Sequence, residues 1–269
     1  MTASTKQGFL RLFKMELFSE KGSIVRKIWS NADTILFIFA GASAEFALNK
    51  AVDWLYFTGR LPADPLGRLF STVTYAQRIV FSELTQANKA IDQITAIHSA
   101  VEANRKSQIP DWAYRDVLFL LVDYSIRSFE LLCRKLSSAE KEEIYNTFYR
   151  MGLRMHLKDL PGNYQDWVPV RENHMLNDLE KSRFTVDLFK QYKKHLGIAR
   201  FILLKEVQAQ LVPPQVRKLL GLRKVSLLML IVPLYKFSRK FQLDSLVKAL
   251  ILPKAYKPQI KALQISANK

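Results

Sequence analysis

Apolar residues recur along this chain with a helical period almost from end to end. Phe9, Leu10, Phe13, Leu17 and Phe18 alternate with Lys6, Arg11, Lys14 and Lys21, so residues 1–30 form a basic amphipathic lead. The pattern then predicts a helix over 32–57 whose first half, Ile35–Ala47, is apolar on every side and therefore buried in protein or against lipid. Gly59 and Pro62 end it, and Asp64-Pro65 opens the next helix, with Asp64 as cap and Pro65 in the first turn. Over 85–101 one stripe contains Ala87, Ala90, Ile91, Ile94, Ile97, His98 and Val101.

Ile109-Pro110-Asp111 leads into a helix over 112–135 whose run Val117–Val122 belongs at the centre of the fold. Ser137-Ser138-Ala139-Glu140 has the form of a capping box and starts a helix to about Met155. Leu160-Pro161-Gly162 breaks the chain, and 163–173, with Trp167, reads as a loop or short turn. Helices over 178–196 and 200–211 follow, then Val212-Pro213-Pro214 and a tail of short helices punctuated by Pro233, Pro253 and Pro258. No strand-like alternation, internal repeat or low-complexity tract occurs. The expected fold is all-α: one multi-helix domain over 31–212 enclosing a buried cofactor slot, with a basic helical extension over 213–269 packed on the domain or on a membrane surface.

Composition sharpens this picture in two places. Hydrophobic residues make up 49% of the 269 residues and only nine are glycine, as expected for a core-forming helical chain. The formal net charge is +17, and residues 181–269 hold 19 Lys and Arg against three acids, Asp187, Glu206 and Asp244. A segment so basic and so rich in Leu, Ile and Val suggests an anionic surface as partner, and membrane head groups suit that interleaving better than nucleic acid does. Ile35–Ala44 and Leu227–Tyr235 are shorter than the roughly 20 residues needed to span a bilayer. The first lacks the flanks of a secretory signal, and Cys133 is the only cysteine. A cytoplasmic protein, peripheral to a membrane through its tail, is the expectation.

Common catalytic motifs are absent. There is no glycine-rich phosphate loop, no Gly-x-Ser-x-Gly, no His-Glu-x-x-His, no paired-cysteine zinc spacing and no Cys-x-x-Cys-His for covalent haem. A noncovalent haem needs only one good axial ligand and an apolar slot. Arg68, Thr72 and Tyr75 share a face at i, i+4 and i+7, and the next helix carries His98 on its apolar side. A cation, a hydroxyl and an imidazole turned toward one buried space suit a polar cofactor.

Each residue also has a plainer reading. His98 is a hydrogen-bonded core histidine, Arg68 pairs with Asp64, and Thr72 bonds back to the Arg68 carbonyl. Tyr75 and Tyr124 are core aromatics with satisfied hydroxyls. Asp123, in an apolar run, needs a partner, and Arg127 one turn on supplies it. His156 caps a helix end, while His174 and His195 lie in polar stretches and are expected in solvent.

Several segments resemble the haem-dependent oxygenases that include the bacterial latex-clearing protein (rubber oxygenase) and the fungal MpaB-type oxygenases, with the bacterial branch the more similar. They are Asp64-Pro65-Leu66-Gly67-Arg68-Leu69 with Thr72; Ile97-His98-Ser99-Ala100-Val101; and an ordered block. That block runs from Leu121-Val122-Asp123 through Leu136-Ser137-Ser138-Ala139-Glu140 to Met151-Gly152 and Asp159-Leu160-Pro161. A weaker pattern, Pro213-Pro214 with Arg217 and Gly221-Leu222, follows.

The resemblance implies a helical fold holding a noncovalent b-type haem. His98 would be the proximal iron ligand, and Arg68 and Thr72 the catalytic distal residues near dioxygen or substrate; Tyr75, on the same helix face, is the further candidate for cofactor binding. It implies a hydrophobic, unsaturated isoprenoid or lipid substrate. Three departures stand out. Ser71 occupies the place of the rubber oxygenase's distal lysine, Leu118 stands where many bacterial members have histidine, and Asp53 and Glu45 are the candidates for a distal carboxylate. The alternative is a non-enzymatic helical protein that binds anionic membrane or another polyanion through its basic last third, a role that needs the tail but not His98.

Overall fold

The structure is a computed structural model that describes residues 16–59 and 63–226. The parts of the predicted lead and tail at 1–15 and 227–269 lie outside the described residues. Eleven helices and no strands occur among the described residues: α1 Ile24–Trp29, α2 Ala32–Phe46, α3 Asp53–Phe57, α4 Pro65–Val80, α5 Leu84–Arg105, α6 Asp111–Leu132, α7 Ser138–Arg154, α8 Tyr164–Asn177, α9 Arg183–Leu196, α10 Ile198–Leu211 and α11 Pro214–Leu220. The all-α expectation holds.

α6 is the central helix. Leu118–Tyr124 are all buried, and α6 packs most extensively on α2 and then on α7. α2 is apolar all round because α1, α4, α6, α10 and α11 surround it. It approaches α6 closely at Gly41, where an added Cβ would sit 2.2 Å from the Tyr124 ring. Phe18 and the α1 residues Ile24, Val25, Ile28 and Trp29 belong to this core, and Val216 of α11 is fully buried. α4 packs along α5, and α9 lies against α4 and α10.

Two predicted caps hold. Asp64 accepts the Gly67 N–H at 2.8 Å, and Ser137 and Glu140 exchange hydrogen bonds at 3.2 and 2.9 Å.

Three sequence-based boundaries do not. The single helix over 32–57 is two, because Asn49 turns the chain: its side chain accepts the Ala51 N–H at 2.7 Å. Leu48 and Lys50 then pair their backbones with Glu180 and Asp178, in the bridge between Asn49 and Leu179. The expected loop at 163–173 is the 14-residue helix α8. Asn163 caps it at the Asp166 N–H, and Pro169, in mid-helix, lies on the exposed side. The helix expected from Asp178 starts at Arg183, capped by Ser182, because 178–180 are used in that bridge. The α5 stripe is also less continuous than its pattern. Ala87, Ala90 and Ile91 are buried, but Ile97 is 46% exposed and His98 is half-buried.

Candidate functional site

α4 and α5 bring Arg68 and His98 together. Burial and then the nearby Arg68 guanidinium lower the His98 pKa from 6.5 to about 4, with Glu102 opposing them, so the imidazole is neutral at neutral pH. The His98 Nδ1 is buried and has no hydrogen-bond partner. Its ring meets the Tyr114 ring of α6 edge-on, with centroids 5.1 Å apart.

Arg68 Nη1 donates to the Ser71 hydroxyl at 3.3 Å. The hydroxyls of Ser71 and Thr72 both donate to the Arg68 carbonyl, at 2.8 and 3.1 Å, so the expected back-bond of Thr72 is present. Tyr75 is half-buried one turn beyond Thr72, and among the described residues no hydrogen bond or ring contact joins it to His98.

The two candidate distal carboxylates part company. Asp53 of α3 meets Arg105 at 2.6 Å, and Arg105 stacks over Trp54 at 4.0 Å. Arg105 follows His98 by seven residues, so Asp53 reaches α5 on the His98 face. Glu45 instead points into a second, fully buried centre.

That centre joins α2, α6 and α8. The Arg171 guanidinium grips both Glu45 oxygens, at 2.5 and 2.6 Å, and reaches Asp123 at 3.1 Å. Tyr124 donates to Glu45 at 2.9 Å, and Arg127 pairs with Asp123 at 2.7 Å, as the sequence suggested. Burial pushes the Glu45 carboxyl up against the opposing pull of Arg171. Burial also disfavours the Arg171 charge, but the carboxylates around it outweigh that and hold it well above its ordinary pKa.

His174 corrects an expectation. It is buried, not solvated, with Nε2 against Asp116 and Nδ1 2.7 Å from Asp178. Burial works against its protonation, but Asp116 more than compensates and raises its pKa. Of the other histidines, His156 is exposed, with φ 58° at the end of α7, and His195 is half-buried in the last turn of α9.

Arg171, His174 and Asp116 escaped sequence reasoning. The signal was there: Trp167, Arg171 and His174 fall at i, i+4 and i+7, facing acids in otherwise apolar helices. Glu45, Asp116 and His174 bring ligand atoms within 4.8 Å of one another and offer the donor set of a metal ion. Arg171 Nη1, 2.5 Å from Glu45 and 3.6 Å from Asp116, already supplies a positive charge there. A second cation would meet it at close range, so the geometry favours a structural ion network.

Residues 29–234 match the family described as ER-bound oxygenase mpaB/B'/Rubber oxygenase, catalytic domain. The chain belongs to that family. No curated protein and no solved structure matches it.

Proposed function

We propose that this protein is a b-type haem oxygenase acting on a hydrophobic, unsaturated substrate of isoprenoid or lipid type. The observation that carries the reading is His98: a neutral imidazole whose Nδ1 is buried without a partner, leaving Nε2 as the nitrogen that can reach a metal. Family membership supports the oxygenase class.

In this reading His98 would hold the haem iron, and Arg68, Thr72 and Tyr75 would line the slot beside it. Bound haem supplies the chemistry of dioxygen activation. The chain's own residues bind and orient. Arg68 is permanently charged and offers fixed N–H donors to a polar oxygen in the slot. Thr72, whose hydroxyl proton is engaged with the Arg68 carbonyl, presents lone pairs as an acceptor. Glu45 is committed to Arg171 and Tyr124, so Asp53, paired with Arg105, is the remaining candidate for a proton-accepting carboxylate. Ser71, in place of a lysine, would offer a hydroxyl there and no amine.

A peripheral contact with anionic membrane goes with this reading. Among the described residues no helix is long and apolar enough to cross a membrane. Ile198 and Ile202 are nevertheless 66% and 55% exposed beside the exposed Lys193 and Lys194.

The visible absorption spectrum of the purified protein tests the central claim. A Soret band, with the pigment extractable by acid and organic solvent, is expected of noncovalent haem. Colourless protein that takes up no added hemin would overturn it.

A further inference from the structure

Among the described residues two arginines are buried, Arg26 of α1 and Arg171 of α8, and the fold treats them in opposite ways. Carboxylates take up the fork of Arg171. Arg26 is 0% exposed and has one hydrogen bond, from its Nε to the Ser19 carbonyl at 2.8 Å. Its Nη1 and Nη2 are both buried without a partner. The Ser19 hydroxyl, in a residue 4% exposed, is buried without a partner as well. Arg26 Cζ lies over the Phe81 ring, 5.2 Å from its centroid, so an aromatic face covers the guanidinium plane and the end of the fork is left over. The nearest acid to act on it, Glu20, is exposed and makes no ion pair with it.

The segment around Ser19 is fixed from both sides. The Phe18 N–H donates to the Ser82 carbonyl at 3.0 Å, and the Leu84 N–H to the Glu16 carbonyl at 2.7 Å. Arg150 of α7 donates to the Phe18 carbonyl at 2.5 Å and lies over the Phe18 ring. Two guanidinium groups therefore meet successive carbonyls, those of Phe18 and Ser19, and only Arg26 is buried.

We propose that Arg26 and Ser19 form a binding site for a phosphate-type oxyanion, gripped end-on by Nη1 and Nη2 of Arg26, with Arg150 adding positive charge from α7. A buried charge with unpaired N–H groups is costly, and an opposite charge that also accepts hydrogen bonds offsets that cost. Two adjacent Nη groups match two oxygens of one oxyanion. The Ser19 hydroxyl is a third donor, which suits the three terminal oxygens of a phosphate monoester better than the two of a carboxylate. The site shares no residue with the one around His98 and stands or falls without the haem reading. Free phosphate and a lipid phosphate monoester offer the same chemistry.

Equilibrium dialysis of labelled inorganic phosphate against the full chain, at an ionic strength held constant with sodium chloride, tests the first source. Sedimentation with phosphatidic acid vesicles tests the second. Arg26→Met is expected to weaken binding at least about tenfold, the loss of a charge-assisted hydrogen bond or more, and Ser19→Ala to weaken it less. Arg26→Lys keeps a charge but not the fork, and it should still bind about fivefold more weakly, which decides the matter if Arg26→Met does not fold. Phosphate binding with this dependence on Arg26 supports the site with a soluble ligand. Vesicle binding with the same dependence, without binding of free phosphate, supports it with a lipid head group. Binding of neither, or binding equally strong in Arg26→Met or Arg26→Lys, would overturn the proposal.

Discussion

Arg171 on α8 holds both carboxylate oxygens of Glu45 on α2, at 2.5 and 2.6 Å, across a core in which neither side chain meets solvent. The bidentate fork fixes α8 against α2, and Asp123 ties the same guanidinium to α6. A buried pair gains little over an apolar replacement, but losing one partner strands the other charge. Arg171→Leu is therefore expected to lose about 3–5 kcal/mol of unfolding free energy. Arg171→Lys should recover part of that, because it keeps the charge but not the fork. Urea denaturation of both variants measures the difference, and a loss under about 1 kcal/mol for Arg171→Leu would contradict the assignment.

His174 gives this network a pH dependence. Asp116, Asp178 and Arg171 act on it, and its folded pKa lies above 6.5 because Asp116 outweighs burial. Its stabilising contribution is therefore complete below pH 6.5 and is lost as pH rises through the folded pKa. Wild-type stability should fall across that window by more than it does in His174→Gln. Parallel stability profiles for the two proteins would rule out His174 as the titrating group.

Gly41 tests the central packing independently of charge. Its missing Cβ makes room for the Tyr124 ring, 2.2 Å from where that atom would be, and for Leu211 at 2.9 Å. Gly41→Ala gains helix propensity but must displace Tyr124, whose hydroxyl serves Glu45. Overpacking of this kind costs about 1–3 kcal/mol, so the variant should have a lower Tm despite the better helix former.

Local chemistry made most of the fold legible. Asp64-Pro65 and the Ser137/Glu140 box mark helix starts through side-chain groups that depend on nothing distant, and the apolar runs of α2 and α6 declare their own burial. What escaped depends on long-range partners. α8 reads as a loop because its inward face carries, beside Trp167, Arg171 and His174, polar residues that are buried because Glu45, Asp116 and Asp123 meet them. The break after Phe46 contains no glycine or proline between 47 and 52. It follows from Asn49 and a backbone pairing with residues 178–180, more than a hundred positions away. At the candidate site the pattern put Arg68 and His98 forward, while the contacts of Tyr114 with His98 and Glu102 emerged only once α5 and α6 were seen side by side.

The exposed corner of α9 and α10 predicts reversible association with anionic vesicles. Ile198 and Ile202 are one turn apart on one face, with Lys193 and Lys194 close by in the chain. Basic residues near such a surface contribute about 1 kcal/mol each and are screened over about 8 Å at physiological salt. Binding should therefore weaken as salt rises and drop further in Ile202→Glu. Equal, salt-insensitive partitioning onto neutral and anionic vesicles would show that this corner plays no such part.

The decisive variant for the proposed chemistry is His98→Ala. It is expected to lose haem or shift the Soret band, because among the described residues His98 alone sets a half-buried, neutral ring with an unpartnered Nδ1 beside a cation. The controls must be histidines outside the core. His156→Ala and His195→Ala qualify, since the first is exposed and the second half-buried at a helix end. His174→Ala does not, because it would disturb the ion network and lower haem content through misfolding. Folding has to be followed alongside the spectrum. His98 is held neutral in the fold while the unfolded chain takes up its proton, so it is without effect above pH 6.5 and costs stability increasingly as pH falls toward about 4. Replacing it should therefore leave stability at pH 7 little changed and make the protein more acid-tolerant. Full wild-type haem content with an unshifted spectrum in His98→Ala would remove the imidazole from the iron and return it to the role of an ordinary buried side chain.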